Sequence, residues 1–202
     1  MPSRYFLTFI FCALLLGGPA LVSAAAAADR IEVKAERTQT KKLGDQVWEN
    51  RFFVAQLKHR DAVLTADELL VNTAKEDTTI TSASKPQLRD PIATITGDAV
   101  VMKTRATTAR FTGNAKILLA ARPVDGKAAP TQLIFTADTI EYNYDTKQVR
   151  CTGHVTLTVL NAVITFGDQP IEYDVKEGQL RLPAPADRQG QVGKVVSRRH
   201  LC

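Results

Sequence analysis

Apolar and polar residues alternate along most of the chain between residues 30 and 182. The alternation is clearest from Phe135 to Asn143 and, after the segment 143–147, from Val149 to Leu157. A two-residue period places successive side chains on opposite faces of a β-strand. Asn143 and Asp145 favour a tight reversal between the two arms, because their side chains hydrogen-bond to the local backbone. This stretch therefore predicts a β-hairpin.

The hairpin is the clearest of four similar units, each marked by one aspartate: Asp67, Asp98, Asp138 and Asp168. In the first unit, apolar residues occupy even-numbered positions before the aspartate and odd-numbered positions after it. A regular strand would keep one parity, so each aspartate predicts a β-bulge that bends the strand and keeps the same face inward. The fourth unit is displaced by one residue, as expected if Pro170 accompanies a single insertion.

Repeated hairpins of about 30 residues are compatible with an antiparallel jelly roll or with a parallel β-helix. Each unit has two strands that meet at a turn, whereas a β-helix has several short strands in each coil. The sequence therefore favours an all-β, antiparallel β-jelly roll built from bulged hairpins. One domain is predicted over residues 30–182, interrupted by a Pro-, Gly- and Ala-rich loop at 120–130.

The two ends of the chain differ from this domain. Arg4 is followed by an apolar run from Tyr5 to Leu16 and then by small residues up to Ala24. This order is typical of a cleaved secretory signal, and the run is shorter than the roughly 20 residues of a membrane-spanning helix. We therefore expect residues 1–24 to be removed and the mature protein to act outside the cytosol. At the other end, the alternation stops, and residues 183–202 are predicted to be a flexible tail.

Charge and candidate chemistry indicate neither a nucleic-acid partner nor an enzyme. The 26 Lys and Arg residues and 21 Asp and Glu residues are interspersed rather than clustered, so no nucleic-acid partner is expected. His59, His154 and His200 lack the spacing of metal ligands, so no metal site is expected. The aspartates recur at equivalent positions, which favours bulge capping over catalysis. Without a nucleophile elbow or a phosphate-binding loop, we expect no enzymatic activity and no cofactor.

Two cysteines remain once the signal is removed, Cys151 and Cys202. A disulfide between them would close a loop of about 50 residues and stabilise the fold by roughly 4 kcal/mol. Cys151 occupies an inward position, however, and Cys202 is the last residue of the predicted tail. One buried and one free thiol are therefore favoured over the bond.

The repeated order of motifs resembles the LptA/OstA family of periplasmic lipopolysaccharide-transport proteins. Thr-Ala-Asp precedes a strand at 65–67 and 136–138, and Thr-Gly opens another strand at 112–113 and 152–153. The resemblance implies a β-taco whose apolar interior holds acyl chains of lipopolysaccharide. It also implies end-to-end strand pairing into a homo-oligomeric bridge, with jelly-roll partners at the inner and outer membranes. On this resemblance, the lipid-binding residues of the inward face are Leu64, Ile95, Val100, Phe111, Phe135, Ile140, Tyr142, Val155 and Leu157.

Alternation alone predicts that these inward residues form an ordinary sandwich core, and lipid binding enters only through the resemblance. Three other functions stay open. The chain could be the membrane-anchored jelly-roll partner of the same transporter, which the cleavable signal disfavours. It could be a polymerising structural or polysaccharide-binding protein of the cell envelope without lipid cargo. A short β-helical enzyme acting on acidic sugars is weakened by the lack of converging carboxylates.

Overall fold

The computed structural model describes residues 30–43, 48–74, 77–120, 132–160 and 162–182. The predicted signal at 1–24, nearly all of the loop at 120–130 and the predicted tail at 183–202 lie outside these ranges. Within them no helix has the length and apolar character needed to cross a membrane.

The described residues form fifteen strands that pair antiparallel in one continuous sheet. The predicted all-β, antiparallel jelly roll is therefore confirmed. The strands are β1 (Ile31–Lys34), β2 (Arg37–Lys42), β3 (Trp48–His59), β4 (Ala62–Ala74), β5 (Asp77–Ser82), β6 (Gln87–Arg89), β7 (Ala93–Thr96), β8 (Ala99–Lys103), β9 (Thr108–Leu119), β10 (Leu133–Asn143), β11 (Gln148–Thr152), β12 (Val155–Val159), β13 (Ala162–Gly167), β14 (Ile171–Asp174) and β15 (Gln179–Arg181).

The sheet is folded into two leaves that share the four long strands β3, β4, β9 and β10. Residues 133–136 of β10 pair with β12, whereas residues 139–143 pair with β11. Likewise, residues 116–119 of β9 pair with β7 and residues 108–112 with β8. The first leaf contains β1, β6, β7, β12, β13 and one half of each long strand; the second contains β2, β5, β8, β11, β14, β15 and the other halves. The line along which the long strands bend is called the crease.

The marker aspartates lie where the chain passes from one leaf to the other, Asp67 and Asp138 within β4 and β10, and Asp98 and Asp168 between consecutive strands. The pairing of β10 with β9 shifts register at Asp138. The backbone N–H of Asp138 donates to the carbonyl of Gly153 at 2.8 Å, and that of Asp98 donates to the carbonyl of Gly113 at 2.9 Å. The change of parity in the sequence is therefore a bend between leaves, with the same face inward on both sides of it.

The turn predicted at 143–147 is confirmed, including its capping. The Asn143 Oδ1 atom accepts the backbone N–H of Asp145 at 3.0 Å and of Thr146 at 2.9 Å. The predicted return arm differs from the prediction, because it consists of two strands, β11 in the second leaf and β12 in the first. The positive φ angles of Gly153 (74°) and His154 (48°) separate them.

Two strands were not predicted by alternation, β2 and β6. All six residues of β2 are exposed, and the strand is defined by its pairing with β3. The three residues of β6 are too few to show a period, and they are held between β4 and β7.

The inward side chains of both leaves form one hydrophobic core. Its largest fully buried members are Tyr142, Phe111, Phe135, Leu57, Leu64, Leu69, Ile80, Leu88, Ile95, Met102, Ile117 and Leu119. Toward the two ends of the sheet the same face is only partly buried, through Ile31 and Val33 of β1 and through Tyr173 and Leu180 of β14 and β15. The apolar interior thus continues to both ends of the described fold.

Candidate functional site

The interior between the leaves is where the structure places all of the predicted lipid-binding residues. Leu64, Ile95, Phe135, Val155 and Leu157 line the first leaf, and Val100, Phe111, Ile140 and Tyr142 line the second. Every one of them is buried, the most exposed being Leu157 at 7%. The structure therefore brings these residues to one interior, while their role toward a lipid stays a prediction.

Neighbouring strands align these side chains into apolar rows. In the second leaf, Phe111 lies opposite Val100 on one side and opposite Ile140 on the other. In the first leaf, Phe135 lies opposite Leu157, and its ring is 5.4 Å from that of Tyr173. Because all the side chains in such a row are apolar, the row forms a continuous apolar surface.

The ends of the sheet expose strand edges. Among the described strands, β1 and β2 pair only with β3 at one end of the sheet. At the other end, β13 pairs only with β12, and β15 pairs only with β14. The outermost strand β13 also carries the exposed apolar residues Val163 and Ile164, and Leu160 lies just before it. Unpaired edges with apolar side chains are sites where another strand can add.

The hairpin turns opposite the crease carry a buried polar cluster. The carboxylate of Asp90, whose side chain is 0% exposed, accepts hydrogen bonds from the Tyr142 hydroxyl and, at 2.8 Å, from Lys147 Nζ. The other carboxylate oxygen accepts the backbone N–H groups of Ile92 at 2.9 Å and Ala93 at 2.7 Å. Burial, then the hydrogen bond with Asp90 and its charge, raise the pKa of Tyr142 far above its usual range. The hydroxyl therefore stays protonated and donates.

Two further polar contacts join turns of opposite leaves. His59 Nδ1 and the Tyr144 hydroxyl are 2.7 Å apart, and both residues are buried. Their rings meet edge to face, with centroids 5.7 Å apart. Beside them, Arg60 Nη1 lies 2.8 Å from Asp145 Oδ1. Sequence reasoning placed only Tyr142 of this group inside the fold, because no local pattern announces contacts between segments so far apart.

The crease aspartates contact polar residues that follow the glycines. Asp138 Oδ2 is 2.8 Å from His154 Nδ1, and Asp98 Oδ2 accepts Asn114 Nδ2 at 2.9 Å. The hydrogen bond with Asp138, followed by the charges of Asp138 and Asp168, raises the pKa of His154. Within the described ranges no group of three His, Cys, Asp or Glu side chains is placed to hold a metal ion.

Of the two cysteines in the predicted mature chain, the structure describes only Cys151. Cys151 is buried, and burial raises the pKa of its thiol to about 12. Cys202 lies outside the described residues, so the pairing of the two cysteines stays an open prediction.

Comparisons with known proteins give a likeness in structure and none in sequence. No protein-family model matches the sequence, and no curated protein matches it. Among solved structures, the chain is similar to LptH, the LptA-homologous periplasmic component of the lipopolysaccharide transport device of Pseudomonas aeruginosa. The two chains are 13% identical, with a TM-score of 0.42, over 84% of this chain and 92% of LptH.

Proposed function

We propose that this chain is a periplasmic, non-enzymatic carrier that binds lipopolysaccharide through its acyl chains. As one unit of a bridge between the inner and outer membranes, it would pass the lipid outward. The observation that carries the proposal is the continuous apolar interior between the two leaves, which reaches both ends of the sheet. The family resemblance of the repeats supports the identity of the lipid, and the predicted signal at 1–24 supports export to the periplasm.

The interior can supply the energy that an acyl chain needs. Burying a methylene contributes about 0.8 kcal/mol, so a chain of about a dozen methylenes contributes up to roughly 10 kcal/mol before ordering costs. The interior is closed on itself in the described structure, with Phe111, Phe135 and Tyr142 fully buried. Lipid binding therefore requires the leaves to separate, so that contacts between the leaves are replaced by contacts with the acyl chain.

The ends of the sheet supply the means of assembly. Strand β2 at one end and strands β13 and β15 at the other have unpaired backbone edges among the described residues. Pairing of one end with the opposite end of a second copy would extend the sheet and join the two interiors. The same edges would accept jelly-roll partners anchored at the inner and outer membranes.

Site-specific photocrosslinking tests the carrier function. A photoreactive amino acid at position 111, 135 or 142 would form adducts with lipopolysaccharide in cells, because these side chains line the interior. The matched controls are the neighbouring positions Arg110 and Glu141, which are exposed on the outer face. Absence of an adduct from all three inward positions would refute the carrier function.

A second candidate function is a polymerising structural protein of the cell envelope. The complete burial of the inward residues favours it, because a self-packed interior is also what an ordinary sandwich core looks like. This candidate predicts assembly through the edge strands without lipid adducts. The photocrosslinking experiment therefore separates the two functions.

A further inference from the structure

The contacts between the hairpin turns lie on the side of the fold opposite the crease. Bends at Asp67 and Asp138 separate the leaves, and the turns at 60–61 and 144–147 lie at the far ends of the same long strands. The crease joins the leaves on one side, so the opposite side is the mouth of the interior. Across this mouth run the contacts of His59 with Tyr144 and of Arg60 with Asp145, together with the Asp90 cluster.

The Asp90 cluster spans the mouth in the same way. Asp90 follows β6 in the first leaf, whereas Tyr142 and Lys147 belong to β10 and its turn in the second leaf. The Asp90 carboxylate also fixes its own turn through two backbone N–H groups. One buried carboxylate thus connects the edge of one leaf with a hydroxyl and an ammonium group of the other.

An acylated lipid with a hydrophilic head cannot share the mouth with these contacts. Its acyl chains lie in the apolar interior and its head lies in water, so the link between them must pass through the mouth wherever the lipid sits. Where the turns are joined by hydrogen bonds and ion pairs, that passage is closed. Closed contacts and bound lipid therefore exclude each other at this point of the groove.

We propose that Asp90, Tyr142 and Lys147, with the pairs His59–Tyr144 and Arg60–Asp145, form a clasp that holds the leaves together. The clasp opens when an acylated lipid enters or passes. The identity of the ligand rests on the proposed function, whereas the closing of the leaves rests on the contacts alone. Polar groups suit a contact that must both hold and release. In the closed state, a buried charge that lost its partner would be strongly disfavoured, so the pairs stay together. In the open state, the same groups reach water and are solvated again.

The reactivity of Cys151 measures the opening without any lipid. This thiol is buried in the interior of the second leaf, and modification by N-ethylmaleimide requires the leaves to part. The full chain with Cys12→Ser and Cys202→Ser leaves Cys151 as its single thiol. In this background Asp90→Asn keeps the acceptor that fixes the turn but removes the charge, and Lys147→Gln removes the opposite charge.

Loss of a charged hydrogen bond across the mouth raises the open fraction by about tenfold to a hundredfold, and the modification rate rises by the same factor. The control is Glu68→Gln, which removes the pairing of Glu68 with Arg51 (3.3 Å) within one leaf and leaves the rate unchanged. If Asp90→Asn does not fold, Lys147→Gln and Tyr144→Phe carry the test. Folded clasp variants that react no faster than Glu68→Gln would overturn the clasp.

Binding of purified lipid A in detergent micelles provides the second arm. The clasp variants are expected to bind it more tightly than the parent by the factor measured with the thiol, since less of the population has to be opened. Tight binding with equal affinity in parent and variants would overturn the clasp while the carrier function stands. Faster thiol modification with no binding of lipid A in any chain would refute the carrier function and the clasp's role in lipid entry.

Discussion

At the scale of single residues, the crease depends on a glycine that an aspartate covers. A Cβ atom added to Gly153 would lie 2.3 Å from Asp138 Oδ2, and one added to Gly113 would lie 2.4 Å from Asp98 Oδ2. Both glycines also have positive φ angles, of 74° and 70°. In the second and third units, the aspartate and the glycine therefore form a steric pair.

Replacement of Gly153 by alanine is expected to destabilise the fold by more than about 2 kcal/mol. A left-handed backbone costs an L-residue about 1–2 kcal/mol, and the clash with Asp138 adds to that cost. Gly167→Ala is the matched control, because Gly167 has a φ of 63° but nothing within 4 Å of the added Cβ. Urea unfolding measures both variants. Equal losses in the two would show that the Asp138 contact is unimportant.

His154 is expected to make stability depend on pH near neutrality. Its pKa is raised in the folded protein above the ordinary value of 6.5, chiefly by the hydrogen bond with Asp138. Its contribution is therefore complete below the unfolded pKa and is lost as pH rises through the folded pKa. His154→Asn keeps a residue that tolerates positive φ, as Asn114 does in the equivalent unit, but does not titrate.

Thermal unfolding measured from below the unfolded pKa of histidine to alkaline pH gives the effect as the difference in Tm between parent and His154→Asn. The difference should favour the parent most on the acidic side, while the carboxylates are still ionised, and should shrink toward alkaline pH. A difference that does not change with pH would contradict the role of the imidazolium. Asp138→Asn provides a second check, since it should lower the pKa of His154 in an NMR titration.

At the scale of elements, the sequence predicts strands that face the core and misses those that do not. Strands β4, β8 and β10 were predicted because one face is buried and leaves a two-residue period. Strand β2 has no buried side chain, so pairing with β3 alone makes it a strand. Its contacts are polar or cationic, such as Arg37 placed 4.0 Å above the ring of Phe53. Propensity and pattern carry little information about such an edge.

The clasp escaped prediction for a different reason. Asp90 and Lys147 are 57 residues apart, and His59 and Tyr144 are 85 residues apart. Each residue has an ordinary local explanation, Asp90 before a proline and Tyr144 within a turn. Only the folding of the sheet along the crease brings them together, because turns of opposite leaves become neighbours after that bend.

A charge on the outermost strand is expected to weaken self-association without affecting the fold. Val163 on β13 is 64% exposed, so Val163→Lys should leave the free energy of unfolding within about 0.5 kcal/mol. Edge lysines block the addition of a further strand, so the concentration needed for association should rise at least about tenfold. Light scattering over a concentration series measures this shift.

The matched control is Val101→Lys, because Val101 is 40% exposed on β8, a strand paired on both sides. This variant should associate like the parent. A parent chain that is monomeric at every concentration, or two lysine variants that behave alike, would contradict assembly through β13.

At the scale of the whole molecule, the two leaves share one core, and the same side chains serve stability and the proposed cargo. The inward set was predictable from alternation, because parity is a local property of each strand. The packing of one leaf against the other was not predictable, because it depends on four long strands that all bend at the crease. An interior that must also open is therefore expected to be held by groups at its mouth as well as by its packing.

The variant Phe111→Ala tests whether the interior is a fixed core or a groove that accepts lipid. Phe111 is fully buried between Val100 and Ile140 of the neighbouring strands, so its truncation should cost about 3–5 kcal/mol in the lipid-free protein. If acyl chains occupy the interior, they fill the space that the ring leaves. Lipid A should then raise the Tm of Phe111→Ala by more than it raises that of the parent. The neighbouring Arg110→Ala, on the outer face, should respond to lipid A as the parent does. Equal rises in Tm for Phe111→Ala and the parent would mean that the lipid does not reach this part of the interior.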